Sequence, residues 1–171
     1  MEDSWPQARR VGVVSDTHWR GGGRAYPEVL LRGLQGVDLI LHAGDLVTLA
    51  ALEPLWLIAP VVAVAGNVDE MAVRAALPDR RVVQIGPYRV GLTHGHRGVG
   101  RNTPERALTT FEFVPLDAVV FGHSHEPLCE ERDGVLLFNP GSPTDRRFQP
   151  EFSFGILHAA ERLWGEIRRF R

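Results

Sequence analysis

Short apolar runs alternate with polar, glycine-containing segments through the first half of the chain. The apolar runs predict strands at residues 10–15, 37–42 and 61–65. Between and after them, apolar residues at helical spacing predict helices from Pro27 to Gly36, at residues 47–57 and at residues 70–77, the last stopped by Pro78. This β-α-β-α-β-α order predicts parallel strands joined by right-handed crossovers.

The pattern changes after residue 80. Residues 81–85 and 89–93 predict a hairpin, so the parallel winding is expected to stop there. A helix with Thr103 as N-cap and Pro104 at its first position is predicted to run to about Phe113, before a strand at residues 118–121. Two further hairpins pair residues 128–132 with 135–139 and residues 152–158 with 163–169. We therefore expect one domain over residues 1–171, with two partly parallel, partly antiparallel sheets and helices outside.

Composition narrows the function classes only a little. Apolar residues make up 44% of the 171 residues, and the formal net charge of -2 gives no reason to expect a polyanion-binding surface. Cys129 is the only cysteine, so no internal disulfide can form, and it is expected to be a small buried residue on a strand. The absence of an 18-residue apolar run and of a leader-like start predicts a cytoplasmic protein without a membrane partner.

Metal-ligand residue types follow five of the predicted strands. The segments are Ser15-Asp16-Thr17-His18, Gly44-Asp45, Gly66-Asn67, Thr93-His94-Gly95-His96 and Gly122-His123-Ser124-His125. One such segment would be ordinary loop chemistry, but all five are expected to gather at the carboxyl ends of strands. Carboxylate, amide and imidazole ligands together suit a pair of divalent cations, with Asp45 as the natural bridge.

In this order, the motifs D-x-H, G-D, G-N, H and G-H-x-H resemble those of the calcineurin-like metallophosphoesterases. The resemblance runs from Asp16 to His125, and Asn139-Pro140-Gly141-Ser142 is similar to the compact bacterial and archaeal phosphodiesterase branch, which also contains the eukaryotic retromer scaffold subunit. It implies a four-layer α/β/β/α sandwich of two mixed sheets. It also implies two divalent metals, Mn first with Fe, Ni, Co or Zn compatible, one held by Asp16, His18, Asp45 and His125 and the other by Asp45, Asn67, His94 and His123.

The activity implied by the resemblance is phosphoester hydrolysis by in-line attack of a hydroxide that bridges the two metals. Asp45, Asn67 and His96 are the predicted catalytic residues. Many superfamily members carry a proton-donating histidine after the G-N motif, where this chain has Val68. We therefore expect a preference for phosphodiesters, with His96 or Asp69 as stand-ins for the missing acid.

Several alternatives stay open. The same fold could serve as a catalytically silent scaffold, or the cluster could be a structural metal site. The substrate could be a small phosphate ester, a nucleotide, a cyclic nucleotide or a nucleic-acid end, and the chain could form a homo-oligomer through its hairpins.

Some residues near the motifs are expected to be structural. His42 and His158 are assigned structural hydrogen bonds, and Asp69 a cap or turn role before the third helix. The run Gly21-Gly22-Gly23 is predicted to form a flexible rim over the site. Arg146 and Arg147 are expected to be solvated, with a use as phosphate-binding cations left open.

Overall fold

The computed structural model describes residues 3–20 and 25–171, and its strands form two mixed sheets. The predicted glycine rim lies outside the described residues. The strands are β1 (Asp3–Trp5), β2 (Arg10–Val14), β3 (Leu39–His42), β4 (Val61–Ala63), β5 (Arg80–Ile85), β6 (Tyr88–Thr93), β7 (Ala118–Val120), β8 (Leu128–Arg132), β9 (Val135–Asn139), β10 (Phe152–Ala159) and β11 (Leu163–Phe170).

The first sheet has five strands in the order β11-β10-β2-β3-β4. β2, β3 and β4 run parallel, as the opening pattern predicts, with Val11 opposite Leu39 and Ile40 opposite Val61. The last hairpin adds β10 antiparallel to β2 and β11 antiparallel to β10. Three parallel strands therefore end at one edge of this sheet.

The second sheet has six strands in the order β1-β5-β6-β7-β9-β8. β5 and β6 form the expected hairpin. The prediction that parallel winding stops there is wrong, because β7 lies parallel to both β6 and β9. β1 was not predicted and pairs parallel with β5. At three residues, β1 is too short for a periodic signal.

The helices are short and differ from the predicted ones mainly at their ends. They are α1 (Glu28–Gly33), α2 (Glu53–Trp56), α3 (Met71–Ala76) and α4 (Thr103–Thr110), with a 3-10 turn at Leu49–Leu52 before α2. The predicted helix at residues 47–57 does not form as one element, because Val47 has a φ of 75° and its carbonyl accepts the backbone N–H of Glu70. Asn102, not Thr103, is the N-cap of α4, with its side chain accepting the N–H of Glu105 at 2.9 Å.

Buried side chains divide the molecule into the layers that the resemblance implies. The main cluster lies between the two sheets and includes Val11 and Leu39 from one and Val90 and Val120 from the other. A second cluster packs α1 and α2 against the five-stranded sheet, and a further cluster packs α4 against the six-stranded sheet. Consecutive residues of β3 point to different clusters, which explains why this parallel strand is apolar throughout.

Two other predictions concern the surface and the membrane. Cys129 lies on β8 as expected, but it is exposed, so the prediction of a buried residue is wrong. Its thiol lies 3.5 Å from the carbonyl of Gly165 on the neighbouring hairpin. Within the described part of the chain, we find no helix with the length and apolar character needed to cross a bilayer.

Candidate metal centre

The seven predicted metal ligands all lie on loops that leave the carboxyl ends of strands. The loop after β2 carries two of them, the loops after β3, β4 and β6 one each, and the loop after β7 two; they are Asp16, His18, Asp45, Asn67, His94, His123 and His125. Both sheets contribute, because β2 to β4 end on one side of the site and β6 and β7 on the other. A hydrogen bond joins the two sides, from the backbone N–H of His123 after β7 to Oδ2 of Asp16 after β2 at 3.0 Å.

One group of three side chains consists of Asp16, His18 and His125, whose candidate ligand atoms all lie within 4.8 Å of one another. Oδ1 of Asp16 is 3.3 Å from Nε2 of His125 and 4.0 Å from Nε2 of His18. Asp16 and His125 are buried, whereas the His18 side chain is 20% exposed. We call this group the first triad.

A second triad, with the same spacing limit, consists of Asp45, His94 and His123. The amide oxygen of Asn67 joins it, 3.1 Å from Nε2 of His94 and 3.0 Å from Nδ1 of His123. Oδ2 of Asp45 lies 3.1 Å from Nε2 of His94 and 3.5 Å from Nε2 of His18. One carboxylate oxygen therefore faces both triads, which is the placement that a bridging ligand needs.

The unpaired polar atoms of the site fit a bound cation. Among the described residues, Oδ1 of Asp16, Nε2 of His18 and Nε2 of His125 are buried without a hydrogen-bond partner. Burying a polar atom without a partner costs about 1–3 kcal/mol, so three in one triad need an explanation. All three are the ligand atoms of the first triad, and each has a lone pair that a divalent ion would accept.

The backbone of the site is held in an uncommon conformation. Five predicted ligands have a positive φ between 44° and 69°: Asp16, His18, Asp45, His123 and His125. Such angles are unusual for residues with a Cβ and cluster at functional sites. Close approach also depends on Gly122, where an added Cβ would lie 2.5 Å from Oδ2 of Asp16.

Asp69 holds two ligand loops together, which goes beyond the cap or turn role expected from the sequence. It is 4% exposed, and its carboxylate accepts the backbone N–H groups of Asp45 at 3.2 Å, Gly66 at 2.6 Å and Val47 at 2.6 Å. It does not cap α3, whose N-cap Glu70 makes no side-chain capping bond. With three backbone donors on its oxygens, Asp69 is a support for the second triad and not a stand-in acid.

Further supports orient the ligands themselves. Nδ1 of His94 lies 2.7 Å from the carbonyl of Ala43. Oδ2 of Asp16 accepts bonds from the Ser15 hydroxyl at 2.7 Å and from the backbone N–H of His123 at 3.0 Å, which leaves Oδ1 for the centre. Such partners fix the tautomer and direction of metal ligands.

The loop after β9 lies beside the centre. Ser142 Oγ donates to the carbonyl of Asp16 at 2.8 Å, and Asn139 Nδ2 to that of Gly122 at 3.0 Å. Asp145 was missed by the sequence reasoning, although its carboxylate lies 3.7 Å from Nδ1 of His18 and 3.8 Å from Nδ1 of His125. Its backbone carbonyl also contacts Nδ1 of His125. Its only sequence signal is its place three residues after Ser142.

The ionisation of the site follows from burial and from pairing. Burial raises the pKa of Asp16. Burial also acts to raise the pKa of Asp45, but its pairing with His18 and His94 outweighs burial and lowers that pKa. Burial acts to lower the pKa of His94, but its hydrogen bond to Asp45 and the charges of Asp16 and Asp45 together outweigh burial and raise that pKa. A cation bound at the second triad would compete with protons for the same nitrogen and oxygen atoms.

His123 and His96 differ from His94 because they lie further from the carboxylates. Burial and the neighbouring His94 lower the pKa of His123 to about 4, so its imidazole is neutral at neutral pH. Burial and the same neighbour lower the pKa of His96. The His96 ring is 5.3 Å from the ring of His94 and 6.2 Å from that of His123, at the rim of the second triad.

The other singled-out histidines make structural contacts. His42 is fully buried, its Nδ1 accepts the N–H of Gly44 at 3.2 Å and its Nε2 lies 3.1 Å from the Thr17 hydroxyl. Burial lowers the pKa of His42 to about 3. His158 pairs with Glu166 at 3.2 Å and stacks on Trp164, on the last hairpin.

The two arginines of the loop after β9 are both exposed. Arg146 lies over the ring of Phe152 at 5.7 Å. Arg147 is near enough to His123 for its charge to lower that histidine's pKa. Arg147 is therefore the cation of this loop that lies toward the second triad.

Comparison with known proteins agrees with this geometry. Residues 10–162 match the model of the calcineurin-like phosphoesterase superfamily domain. A probable metallophosphoesterase of Methanothermobacter thermautotrophicus is 35% identical over 159 residues, which cover 93% of this chain and 91% of that protein. A phosphodiesterase of Methanocaldococcus jannaschii is 29% identical over 145 residues, covering 77% and 82%. The solved structure of Vps29 from Entamoeba histolytica complexed with Zn²⁺ has a TM-score of 0.73 and 25% identity, covering 95% of this chain and 99% of that one.

The chain belongs to the calcineurin-like phosphoesterase superfamily. The family and the fold class predicted from the motifs are thereby confirmed. This family uses divalent metals, and the chain carries two groups of residues that could each hold an ion.

Proposed function

We propose that this chain is a metal-dependent phosphodiesterase whose two triads hold two divalent ions. The observation that carries the proposal is the position of Asp45, whose Oδ2 faces His94 of the second triad at 3.1 Å and His18 of the first at 3.5 Å. Two structural metal sites would not need to share an oxygen, whereas a pair of ions acting on one phosphoryl group does.

Bound divalent ions would supply a nucleophile at neutral pH and would neutralise charge on the phosphoryl oxygens. The chain's own residues provide what those ions require. Asp16 and Asp45 contribute negative charge from buried positions, and Asn67 contributes a neutral oxygen. His123 is neutral at neutral pH and so has a lone pair free for binding. This oxygen and imidazole mixture suits Mn²⁺, with Fe, Ni, Co and Zn as compatible alternatives.

The preference for diesters rests on the group that lies beside Asn67. Val68 is 39% exposed and has no proton to give, while its backbone N–H donates to Oδ1 of Asp45 at 3.0 Å. His96 is the neighbouring titratable side chain: its Nε2 accepts from Arg97 at 3.3 Å, so the neutral ring carries its hydrogen on Nδ1. We propose that His96 donates a hydrogen bond to the leaving group. As a weak acid, it favours leaving groups that need little protonation.

The relatives support hydrolysis rather than a silent scaffold. One is named a probable metallophosphoesterase and another a phosphodiesterase. A scaffold does not need metal ligands, yet each of the seven predicted positions holds a residue able to bind a metal, and the structure brings them together. The Zn²⁺ complex of Vps29 indicates that another protein with this fold can bind a metal ion.

The test is hydrolysis of bis(p-nitrophenyl) phosphate by purified protein with Mn²⁺. We expect activity that is lost with a chelator and restored by added Mn²⁺. His123→Ala should lower kcat/KM by at least about 10²-fold, as expected for loss of a group that stabilises the transition state. The matched control is His158→Ala, because His158 lies on the last hairpin and away from the centre. Metal-independent activity, or equal activity of the two variants, would overturn the proposal.

A further inference from the structure

A cavity of about 350 Å³ opens beside the first triad and is not used by the chemistry described above. The loop after β2, the segment before α1, the loop after β9 and the β10–β11 hairpin form its walls. His18 belongs both to this wall and to the first triad. A group in the cavity would therefore be adjacent to a phosphate held at the triads.

Three large aromatic side chains contribute to the wall of the cavity. Trp19, Phe152 and Phe170 line it. The rings of Phe152 and Phe170 stack with centroids 5.6 Å apart and an interplanar angle of 27°, and Arg146 covers Phe152 from outside. Pro27 and Pro143 add two rigid apolar surfaces.

The two threonine hydroxyls on the wall are engaged within the protein, and the Arg171 guanidinium, which also lines the cavity, pairs with Glu151 at 3.4 Å. The Thr17 hydroxyl lies 3.1 Å from Nε2 of the buried His42 and bonds to Tyr26 on its other side. The Thr144 hydroxyl donates to the carbonyl of Thr17 at 2.6 Å. The wall thus offers ring surfaces, a flat guanidinium that can stack on a ring, and engaged hydroxyls, which suits a planar aromatic group more than a sugar.

We propose that this cavity binds a planar aromatic substituent of the phosphodiester, which could be a nucleobase or a simple aryl group. The inference rests on the proposed function for its orientation, because it places the ester phosphate at the triads and the ring beyond His18. The volume is at the small end of ligand pockets, so one substituent fits and an oligonucleotide does not.

The test compares three diesters that share the p-nitrophenolate leaving group and carry thymidine, phenyl or methyl as the second substituent. Phe152→Leu removes the ring but keeps an apolar side chain, and Phe170→Leu is the second variant if the first fails to fold. We expect KM for the thymidine and phenyl esters to rise about tenfold, as for one lost aromatic contact, with kcat changed less than about twofold. The methyl ester should be unaffected.

The matched control is Phe148→Leu, because Phe148 is fully exposed and does not line the cavity. If KM rises in Phe152→Leu for both the thymidine and the phenyl ester, the cavity is a general aromatic site. If KM rises for the thymidine ester alone, the substrate is a nucleotide. An equal loss for all three esters, or no loss for any, would overturn the inference.

Binding to the metal-free protein separates this inference from the proposed function. Saturation-transfer NMR with thymidine and with phenol needs no hydrolysis. Ring binding that Phe152→Leu weakens, in a protein that hydrolyses no diester, would leave the cavity assignment standing and remove the enzyme proposal. Hydrolysis of the diesters without any Phe152-dependent ring binding would leave the enzyme proposal standing and remove the cavity assignment.

Discussion

Replacing Asp69 with Asn should weaken the metal centre without removing any metal ligand. The Asp69 carboxylate accepts three backbone N–H groups, two at Oδ2 from Asp45 and Gly66 and one at Oδ1 from Val47. Asn would keep one accepting oxygen and present N–H₂ to the remaining donors. The substitution therefore loses at least one hydrogen bond and leaves a buried backbone N–H facing the N–H₂ group of Asn.

The expected loss of stability follows from the number of hydrogen bonds that the substitution removes. A hydrogen bond to a charged group contributes about 1.5–3 kcal/mol, and an orphaned buried donor costs about 1–3 kcal/mol. We expect Asp69→Asn to lower the free energy of unfolding by about 2–4 kcal/mol. Asp69→Ala would lose all three bonds and could cost most of a typical total stability of about 5–15 kcal/mol, so Asn is the informative variant.

Metal affinity is the second readout, because Asp69 ties the backbone of Asp45 to that of Gly66, next to Asn67. Loss of a partner that orients metal ligands typically costs about 10–100-fold in affinity, and we expect that loss for Mn²⁺ in calorimetric titrations. Urea unfolding of the metal-free protein measures the stability term separately.

Asp38→Asn is the matched control. Asp38 also accepts two backbone N–H groups, from Arg9 at 2.8 Å and Arg10 at 2.9 Å, but it is exposed and precedes β3 at the end of the sheet opposite the centre. The Asp38→Asn substitution should lower the free energy of unfolding modestly and leave Mn²⁺ affinity unchanged. Wild-type Mn²⁺ affinity in Asp69→Asn, or an equal affinity loss in both variants, would refute the reasoning.

Three further predictions test other parts of the site. Asp145→Asn removes the charge beside His18 and His125, so kcat/KM should fall about tenfold with both histidines intact, as steady-state kinetics can show. His96→Ala should slow esters with alkoxide leaving groups by about 10²-fold and p-nitrophenyl esters much less, and equal losses would contradict its assigned role. The pKa of His42 is lowered from 6.5 to about 3, so its neutral form stabilises the fold above pH 6.5, and this stability is lost as the pH falls towards about 3. The free energy of unfolding of the metal-free protein, measured by urea titration, should change by up to about 1.4 kcal/mol per pH unit in that range, and His42→Gln should reduce this slope.

The site could be predicted from the sequence because its ligands follow apolar strands directly. In a parallel sheet, that position fixes where a side chain emerges, whatever the loop does next. Asp16 and Asp45 are therefore predictable from two apolar runs and a glycine. The family resemblance added the pairing of ligands, which spacing alone left open.

The supports of the site could not be predicted, because they act through the backbone. Asp69 accepts three N–H groups from two loops, and a sequence carries no sign of which amides lack partners. Asp145 reaches His125 across 20 residues of sequence, only because β9 returns its loop to the centre. The family resemblance drew attention to Asn139-Pro140-Gly141-Ser142, but no pattern in the sequence singled out Asp145.

The fold differed from prediction where tertiary contacts override local pattern. Apolar spacing at residues 47–57 favours a helix, yet the carboxylate of Asp69 and the N–H of Glu70 hold Val47 at a positive φ, so a helix cannot start there. The return to parallel pairing at β7 was missed because β5 and β6 form a clear hairpin, which says nothing about the strand that follows.

The central claim is that the two triads hold a pair of ions joined by Asp45. Anomalous diffraction from crystals grown with Mn²⁺ tests it most directly. We expect two peaks about 3.5–4 Å apart, with Asp45 touching both, one also bound by Asp16, His18 and His125 and the other by Asn67, His94 and His123. A single peak, or two peaks too distant for one carboxylate to reach, would contradict it.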